Sequence, residues 1–274
     1  MFYVTKADGR RQPFSRSKVL RTCKRMHATK EVAKAVADTV EAKAYDGIPT
    51  KQILKIIFTE LKKYKPEIAF QIDLREAIAS MRPKPDFEQF IVLMLKAEGY
   101  EVESNQIIAG RCVEHEIDAI ARKGRDVVCV EVKHHYNHHA YTGLGVFLEA
   151  WASFEDLRAG YRDGKHKYRF NKLLVVCNTK ISEHAKRYAK CKGFEYLAWR
   201  APKRSLEQIV ESYRLYPITF LKGLDKQAIA RLGDANIITI RQFVAEDANR
   251  IAKLLRMSKG KVLELIDRAN KLLS

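Results

Sequence analysis

The run VVCVEVK at residues 127–133 constrains the fold most strongly, because it predicts a buried β-strand that nevertheless carries two charges. Successive side chains of a strand point to opposite faces of the sheet. Glu131 and Lys133 are therefore neighbours on one face, in line with Val127 and Cys129. The two charged residues either form an ion pair that faces solvent or belong to a catalytic site. The surrounding sequence decides between these alternatives.

Two proline-containing breaks divide the chain into three segments. The two breaks are MRPKPD at Met81–Asp86 and RLYPITF at Arg214–Phe220. Helices seldom continue through prolines, so the helical patterns on either side of each stretch are separate. We therefore expect three domains, over residues 1–82, 86–213 and 217–274. A chain of 274 residues is long enough for two or three domains that each bury a core.

The chain is strongly basic, with 51 Lys and Arg residues against 33 Asp and Glu residues and a formal net charge of +18. This balance favours a polyanionic partner, with nucleic acid as the first candidate and an anionic membrane surface as the second. The segment up to Pro85 has 19 basic and 9 acidic residues, the segment up to Pro217 has 21 and 18, and the remainder has 11 and 6. The excess of positive charge thus suits the two flanking segments to hold a polyanion. The middle segment, in which basic and acidic residues are nearly equal in number, would then act on that polyanion.

Targeting signals and cysteine patterns indicate the compartment. The N-terminus has no secretory signal core, and no apolar run approaches the ~20 residues that a membrane span needs. Five scattered cysteines form no C-x-x-C pair, which argues against a zinc knuckle or a disulfide framework. We expect a reduced, cytoplasmic protein without membrane segments.

Periodicity predicts a different architecture for each segment. The first opens with a β-hairpin that turns at Asp8-Gly9, and helices follow near Arg16–His27, Lys30–Tyr45, Thr50–Lys63 and Pro66–Met81. The middle segment alternates helices near Asp86–Glu98, Leu144–Leu157 and Ser182–Lys192 with strands near Val113–Ala121, Val127–Lys133, Leu173–Cys177 and Phe194–Trp199. The last segment is all helical. The fold class is therefore α/β multidomain, with an α/β/α core around a mixed sheet in the middle.

Three carboxylates and a lysine converge in the middle segment. Alternation in VEHEIDAIA places Asp118 on a strand that the short RKGRD link pairs with the strand of Glu131. Glu88 lies at the edge of the apolar stripe of the preceding helix, and an inward carboxylate needs a partner. Asp118 and Glu131 suit a hard cation such as Mg²⁺ or Mn²⁺, while Lys133 would orient or deprotonate a water or neutralise transition-state charge. The spacing predicts metal-assisted hydrolysis of a phosphodiester.

The middle segment resembles the PD-(D/E)XK nuclease superfamily, and the Mrr-like restriction endonuclease domains most closely. Four stretches carry the resemblance in the right order over residues 86–200, namely FEQFIVLMLKAEGYEV, HEIDAIA, VVCVEVKHH and KLLVVCNTKISEHAKRYAKCKGFEYLAW. The resemblance implies a Mg²⁺-dependent endodeoxyribonuclease whose active site consists of Glu88, Asp118, Glu131 and Lys133. Many Mrr-like members have a glutamine on the helix after E-x-K, whereas GLGVFLEAWASFEDL has none and offers Glu149.

Four histidines follow the E-x-K pair directly, at His134, His135, His138 and His139. Two pairs of them have i, i+4 spacing, which suits a transition-metal site. The alternative is a polar, partly protonated loop beside the phosphate-binding face. The sequence leaves both interpretations open.

The first segment resembles the ATP-cone, a small nucleotide-sensing domain, through VTKADGRRQPFSRSKV and YDGIPTKQI. The resemblance implies a site for ATP or dATP at Val4, Lys6, Lys18 and Thr50. Ammonium groups and a helix N-terminus suit the oxygens of a triphosphate. The family usually has a second basic residue where this chain has Ala7, and often a histidine where it has Leu54. The alternative is a cone that serves purely as a basic DNA-facing or dimerising module.

The last segment resembles tandem helix-hairpin-helix domains, which present backbone N–H groups and helix N-termini to a DNA phosphate irrespective of base sequence. The candidate hairpins are Leu221–Lys226 and Met257–Lys261. The implied DNA contacts are Lys222, Gly223, Lys259, Gly260 and Lys261. The family's first hairpin usually has the pattern G-x-G, and Asp225 stands at the second glycine here. A helical module for protein–protein contacts is the alternative.

Together these features predict a metal-dependent DNA endonuclease that ATP or dATP regulates through the cone, with homo-oligomerisation as one route of regulation. Two alternatives remain at this stage. One is a nucleotide-responsive DNA-binding regulator with an inert nuclease fold, which would bind DNA in a salt-dependent way without cleaving it. The other is a scaffold that assembles repair partners through its helical ends. The intact set of Asp118, Glu131 and Lys133 favours the nuclease.

Overall fold

The computed structural model describes residues 2–6, 8–26, 28–66, 68, 71–201 and 204–274. The chain divides into two compact units. The first consists of the residues up to Ile72 with Asp267–Leu272 and Ser274, and the second of Asp73–Ile266 with Leu273. None of the helices that the structure describes combines the length and the apolar character that crossing a membrane requires.

The first unit is mostly helical, as predicted, and contains a small sheet. Strands β1 (Tyr3–Thr5) and β2 (Arg11–Pro13) form the predicted hairpin, and β3 (Ile48–Pro49) pairs with β1 in parallel. The helices are α1 (Arg16–Arg25), α2 (Lys30–Lys43) and α3 (Thr50–Tyr64). Val4 and Ile48 of the sheet pack with apolar side chains of all three helices in one core.

The helix predicted over Pro66–Met81 is wrong. The structure instead has a shorter helix, α4, at Leu74–Ala79, which belongs to the second unit. Asp73 starts this helix, because its side chain accepts hydrogen bonds from the backbone N–H groups of Arg75 and Glu76 at 3.0 and 3.2 Å. Residues 67, 69 and 70 of the predicted helix lie outside the described residues.

The second unit is built on a mixed sheet. Its strands are β4 (Glu101–Ala109), β5 (Glu114–Lys123), β6 (Asp126–Lys133), β7 (Tyr141–Thr142), β8 (Lys172–Cys177), β9 (Lys180–Ile181) and β10 (Glu195–Leu197). The main sheet has the order β10-β8-β6-β5-β4, and β7 pairs with β9 separately. Strands β4, β5 and β6 are antiparallel neighbours, whereas β8 and β10 continue the sheet in parallel. Strand β4 was not predicted from the sequence, because its polar edge position leaves little apolar alternation.

Helices cover the sheet and form the C-terminal part of this unit. They are α5 (Glu88–Ala97), α6 (Leu144–Arg162), α7 (Glu183–Lys192), α8 (Leu206–Tyr213), α9 (Lys226–Asp234), α10 (Ile240–Ala245), α11 (Ala248–Leu255) and α12 (Lys259–Leu273), of which Asp267–Leu272 is counted with the first unit. Side chains of α6 and α7, including Phe147 and Ala185, share a core with Ile120 and Cys129 of the sheet. The α/β class with a helical C-terminus, predicted from sequence, is confirmed.

Arg82 links the entrance of α5 to α9. Its guanidinium group donates to both carboxylate oxygens of buried Asp86, at 2.9 and 2.7 Å, and to Asp234 at 2.9 Å. Gly233 permits this approach, since a Cβ atom there would lie 2.5 Å from an Arg82 nitrogen and from an Asp86 oxygen. These contacts fix the turn Pro83–Phe87 that leads into the helix.

We expect Arg82→Ala to lower the free energy of unfolding by about 3 kcal/mol, because it leaves Asp86 buried without its counter-ion. Urea denaturation of the full chain, followed by tryptophan fluorescence, measures this, since both tryptophans lie in the second unit. Arg250→Ala, which removes an exposed pair with Glu246, is the matched control and should change the value by less than about 0.5 kcal/mol. Equal losses in the two variants would contradict the role of Arg82.

Candidate active site

The antiparallel ladder between β5 and β6 brings two carboxylates together. Ala119 pairs with Val130 in this ladder. Asp118 directly precedes Ala119 on β5 and Glu131 directly follows Val130 on β6, so the two carboxylates lie at the same end of the ladder. Oδ2 of Asp118 accepts a hydrogen bond of 2.7 Å from the backbone N–H of Val132. The predicted pairing of Asp118 with the E-x-K strand is therefore present, and the backbone of β6 fixes the orientation of the aspartate.

Glu88 enters the same site from the first turn of α5, where it is buried. Lys84 connects it to the sheet, because Nζ of Lys84 lies 3.2 Å from Oε1 of Glu88 and 3.7 Å from Oδ1 of Asp118. The shortest contact of the same ammonium group, at 2.8 Å, is with Oε1 of Glu116. The structure thus brings together Glu88 and Asp118, as predicted, around a lysine that the sequence analysis did not include.

The spacing of Lys84 and Glu116 in the sequence already indicated that both side chains lie near the site. Glu116 shares a strand face with Asp118, and Lys84 precedes Glu88 by the four residues that place two side chains on one helix face. The prolines on both sides of Lys84 indicated a break in the helix rather than a turn leading into it. The turn Pro83–Phe87 has non-helical backbone at Lys84, so helix periodicity alone does not locate its side chain.

Burial makes the acidic groups of the site hard to ionise. Burial, and then repulsion from Asp118, raises the pKa of Glu131 to about 7. The same two causes raise the pKa of Glu88 to about 7. Burial also raises the pKa of Asp118, although the hydrogen bond from Val132 opposes this change. Carboxyl groups that destabilise each other's charge in this way are typical of a functional site that stabilises a further cation.

Lys133 lies exposed at the end of β6. Its positive charge lowers the pKa of Glu131, against the larger effect of burial, and the charge of Glu149 on α6 raises it. Glu131 and Lys133, both within the described residues, interact through charge without the hydrogen bond that a closed ion pair would have. The ammonium group of Lys133 therefore remains available to a ligand at the end of the strand.

The donor set fits a hard divalent cation. Within the described ranges, no group of three or more His, Cys, Asp or Glu side chains is arranged as a metal site. Glu88, Asp118 and Glu131 nevertheless supply carboxylate oxygens, the ligands that Mg²⁺ and Mn²⁺ prefer. The ammonium group of Lys84 between Glu88 and Asp118 shows that a positive charge is accommodated beside these oxygens.

Three of the four histidines, His134, His135 and His138, hold the loop against neighbouring elements. Nε2 of His134 lies 3.0 Å from the carbonyl oxygen of Ile78, and Nε2 of His135 lies 3.1 Å from Oγ1 of Thr142. The carbonyl oxygen of His138 accepts a hydrogen bond from Arg75. These contacts bind the loop to α4 and to β7.

Burial also determines the charge of these rings. It lowers the pKa of His134 and His135, and it lowers the pKa of His138 to about 4. The prediction of a partly protonated loop is therefore wrong for these three histidines, because their half-buried rings favour the neutral form. A transition-metal role gains no support from the residues that the structure describes.

The predicted nucleotide contacts all lie in the first unit. Val4 is buried at the centre of the small sheet, between Gln12 and Ile48, so its side chain belongs to the core. Lys6 directly follows β1 and Thr50 is the first residue of α3. Lys18 is exposed on α1, with its Nζ 3.3 Å from Oε1 of Gln12.

The predicted DNA contacts lie at the starts of two C-terminal helices. Lys222 and Gly223 belong to the loop before α9, and Lys259, Gly260 and Lys261 form the exposed first turn of α12. Asp225, which stands where the family has glycine, caps α9, since its Oδ1 accepts a hydrogen bond of 2.7 Å from the N–H of Ala228.

Comparison with known proteins defines the class of each region. Family models match an ATP cone domain over residues 2–77, a restriction endonuclease domain over residues 78–198, and an "AF1548-like, C-terminal" domain over residues 216–273. The predicted resemblances to the ATP-cone and to Mrr-like restriction endonucleases are thereby confirmed. The helix-hairpin-helix assignment stays a prediction. The fold and the candidate site together define a protein with a restriction-endonuclease-type domain.

Individual relatives identify the family. An uncharacterized protein of Archaeoglobus fulgidus is 34% identical over 181 residues, which cover 66% of this chain and 98% of the relative. A second uncharacterized protein of that organism is 46% identical over 41 residues, 15% of this chain and 87% of the relative. The crystal structure of a protein of unknown function, AF1548, is 32% identical with a TM-score of 0.57, covering 68% of this chain and 96% of that one. The chain belongs to this family of AF1548-like proteins.

The raised pKa values of Glu88 and Glu131 predict that the metal-free protein loses stability as the pH rises. Both groups ordinarily ionise near 4.5, so between about pH 4.5 and 7 the folded state holds more protons than the unfolded state. The free energy of unfolding therefore falls through this window. Thermal unfolding in EDTA at a series of pH values measures the slope.

Glu131→Gln should flatten that slope, because the amide does not titrate. Glu183→Gln, at an exposed position on α7, is the control and should leave the slope unchanged. A slope that is the same in Glu131→Gln as in the wild type would contradict the assignment.

Proposed function

We propose that the protein is a divalent-metal-dependent endodeoxyribonuclease that acts in the cytoplasm and that a nucleotide regulates. The proposal is carried by the buried carboxylates Glu88 and Asp118, which share the ammonium group of Lys84, and by the half-buried Glu131 on the strand that pairs with that of Asp118, two residues before the exposed Lys133. The restriction endonuclease match over residues 78–198 supports it, since that region contains all of these residues.

The three carboxylates and Lys133 divide the chemistry among them. Asp118 and Glu131 would hold Mg²⁺ or Mn²⁺ through their carboxylate oxygens, and Glu88 would support them. The bound metal would lower the pKa of a water and stabilise the charge that develops on the phosphate. The N–H of Val132 donates a hydrogen bond to Oδ2 of Asp118 and so keeps this carboxylate oriented. Lys133 orients or deprotonates the attacking water, or neutralises the charge on the phosphate as the phosphodiester bond breaks.

We expect Asp118→Ala and Lys133→Ala each to slow DNA cleavage by about 10²-fold or more, because they remove a metal ligand and a charged group that acts in the transition state. The initial rate of plasmid cleavage with Mg²⁺ or Mn²⁺ measures the loss. Lys172→Ala is the matched control, since Lys172 lies on β8 and pairs with Asp126 at the opposite end of β6. Cleavage by Lys133→Ala at the wild-type rate would refute the catalytic assignment.

DNA binding is proposed for the C-terminal helices. Lys259, Gly260 and Lys261 are exposed at the first turn of α12, where backbone N–H groups and the helix dipole favour a phosphate. Lys222 and Gly223 supply a second contact before α9. The net charge of +18 supports a sequence-independent grip whose affinity falls as salt rises.

Nucleotide sensing is proposed for the first unit. The ATP cone match over residues 2–77 and the positions of Lys6, Lys18 and Thr50 support a site for ATP or dATP. Binding there would bias cleavage, with homo-oligomerisation as one route. Val4 supports the site by packing its side chain into the core of this unit.

We expect Lys18→Ala to weaken the binding of ATP or dATP by about tenfold, the effect of losing one charge-assisted contact to a phosphate. Isothermal titration calorimetry of the full chain measures the affinity. Lys24→Ala, which removes another exposed lysine of the same helix, is the control and should bind as the wild type does. Equal affinities in all three proteins would exclude Lys18 from the nucleotide site.

A nucleotide-responsive DNA-binding regulator with an inert nuclease fold is the second candidate. The contacts of Lys84 favour it, because they already neutralise part of the carboxylate charge in the absence of a metal. Salt-dependent DNA binding without cleavage in Mg²⁺ or Mn²⁺, in the wild type as in Asp118→Ala, would select this alternative.

A further inference from the structure

Lys84 spans the site from its buried side to its exposed side. Its ammonium group contacts Glu88 and Asp118, whose side chains are 5% and 9% exposed, and Glu116, whose side chain is 61% exposed. The Lys84 side chain is itself 57% exposed. A single flexible cation thus lies between two buried carboxylates and one that faces solvent.

The backbone that carries Lys84 is held on both sides. Arg82 pairs with Asp86 across this segment, and the N–H of Phe87 donates a 3.0 Å hydrogen bond to the carbonyl oxygen of Arg82. The four-carbon stem of a lysine remains flexible under these conditions, and its compact ammonium group is a point charge. The fixed turn therefore directs Lys84 at the carboxylates while its side chain keeps the freedom to move outward.

We infer that Lys84 is a built-in cation that holds Glu88 and Asp118 together in the metal-free protein and competes with the divalent metal for them. This inference rests on the proposed function, because it takes these carboxylates to be the metal site. When the ammonium group of Lys84 moves away from Glu88 and Asp118, it remains paired with the exposed Glu116.

Electrostatics explains why the two cations compete. Each buried carboxylate is destabilised by burial and by its acidic neighbours, and Lys84 offsets part of that cost. A divalent ion supplies more positive charge to the same oxygens, but the ammonium group repels it at this distance. Metal binding and withdrawal of Lys84 are therefore linked, so that a change in one alters the other by the same factor.

The affinity for Mn²⁺ tests the inference without depending on cleavage. Free Mn²⁺ is measured by its electron paramagnetic resonance signal at about pH 8, with the full chain as titrant. We expect Lys84→Met to bind Mn²⁺ about tenfold more tightly than the wild type, because the competing charge is gone. Lys84→Arg keeps the charge and is the matched control, whose affinity should stay close to that of the wild type.

Thermal unfolding supplies a second readout on the same variants. In EDTA, Lys84→Met should melt below the wild type, because the buried carboxylates lose their counter-ion. Added Mn²⁺ should then raise the melting temperature of Lys84→Met by more than it raises that of the wild type. If Lys84→Met does not yield folded protein, Lys84→Gln, which removes the charge and keeps a polar group, replaces it in both measurements.

The outcomes separate this inference from the proposed function. If the wild type binds Mn²⁺, Asp118→Ala does not, and Lys84→Met binds no more tightly than the wild type, the inference about Lys84 is overturned while the metal site stands. If neither the wild type nor Asp118→Ala binds Mn²⁺, both are overturned.

Discussion

Mutual repulsion among buried carboxylates is the constraint on which the candidate site depends. Glu88 and Asp118 are buried and Glu131 is half-buried, and the pKa of each is raised above its ordinary value, so the ionised form of each carboxyl group is disfavoured there. A fold keeps such groups only where a cation or a proton compensates them. Lys84 meets this requirement within the chain, and a divalent metal would meet it more fully.

The turn before α5 gives this arrangement its geometry. Arg82 ties Asp86 to Asp234, so the same few residues that deliver Lys84 and Glu88 to the sheet also dock the C-terminal helices of the second unit. Thr219 adds a buried contact nearby, since its hydroxyl group donates to the carbonyl oxygen of Ala77 at 2.8 Å. The helical C-terminal part is therefore joined to the segment that carries the site.

Period-two alternation was sufficient to predict β5 and β6 and to place Asp118 beside Glu131, because a strand with one buried face has a strongly specified register. It failed for β4, an edge strand with one buried residue among exposed and half-buried ones, which therefore carries little apolar alternation. Lys84 was missed for another reason. Its position depends on a non-helical turn and on the contacts of Arg82 with residues far along the chain, so the spacing of four residues to Glu88 was not a sufficient signal.

The continuity of β4, β5 and β6 has a consequence for how the site forms during folding. The residues of the candidate site all lie in one stretch of chain, from Lys84 to Lys133. The three strands in this stretch follow one another as an antiparallel meander. Loop-closure entropy is small for such near neighbours, whereas the parallel strands β8 and β10 join only after long connections. The contacts that bring the carboxylates together therefore have a lower loop-closure cost than the pairing of β8 and β10.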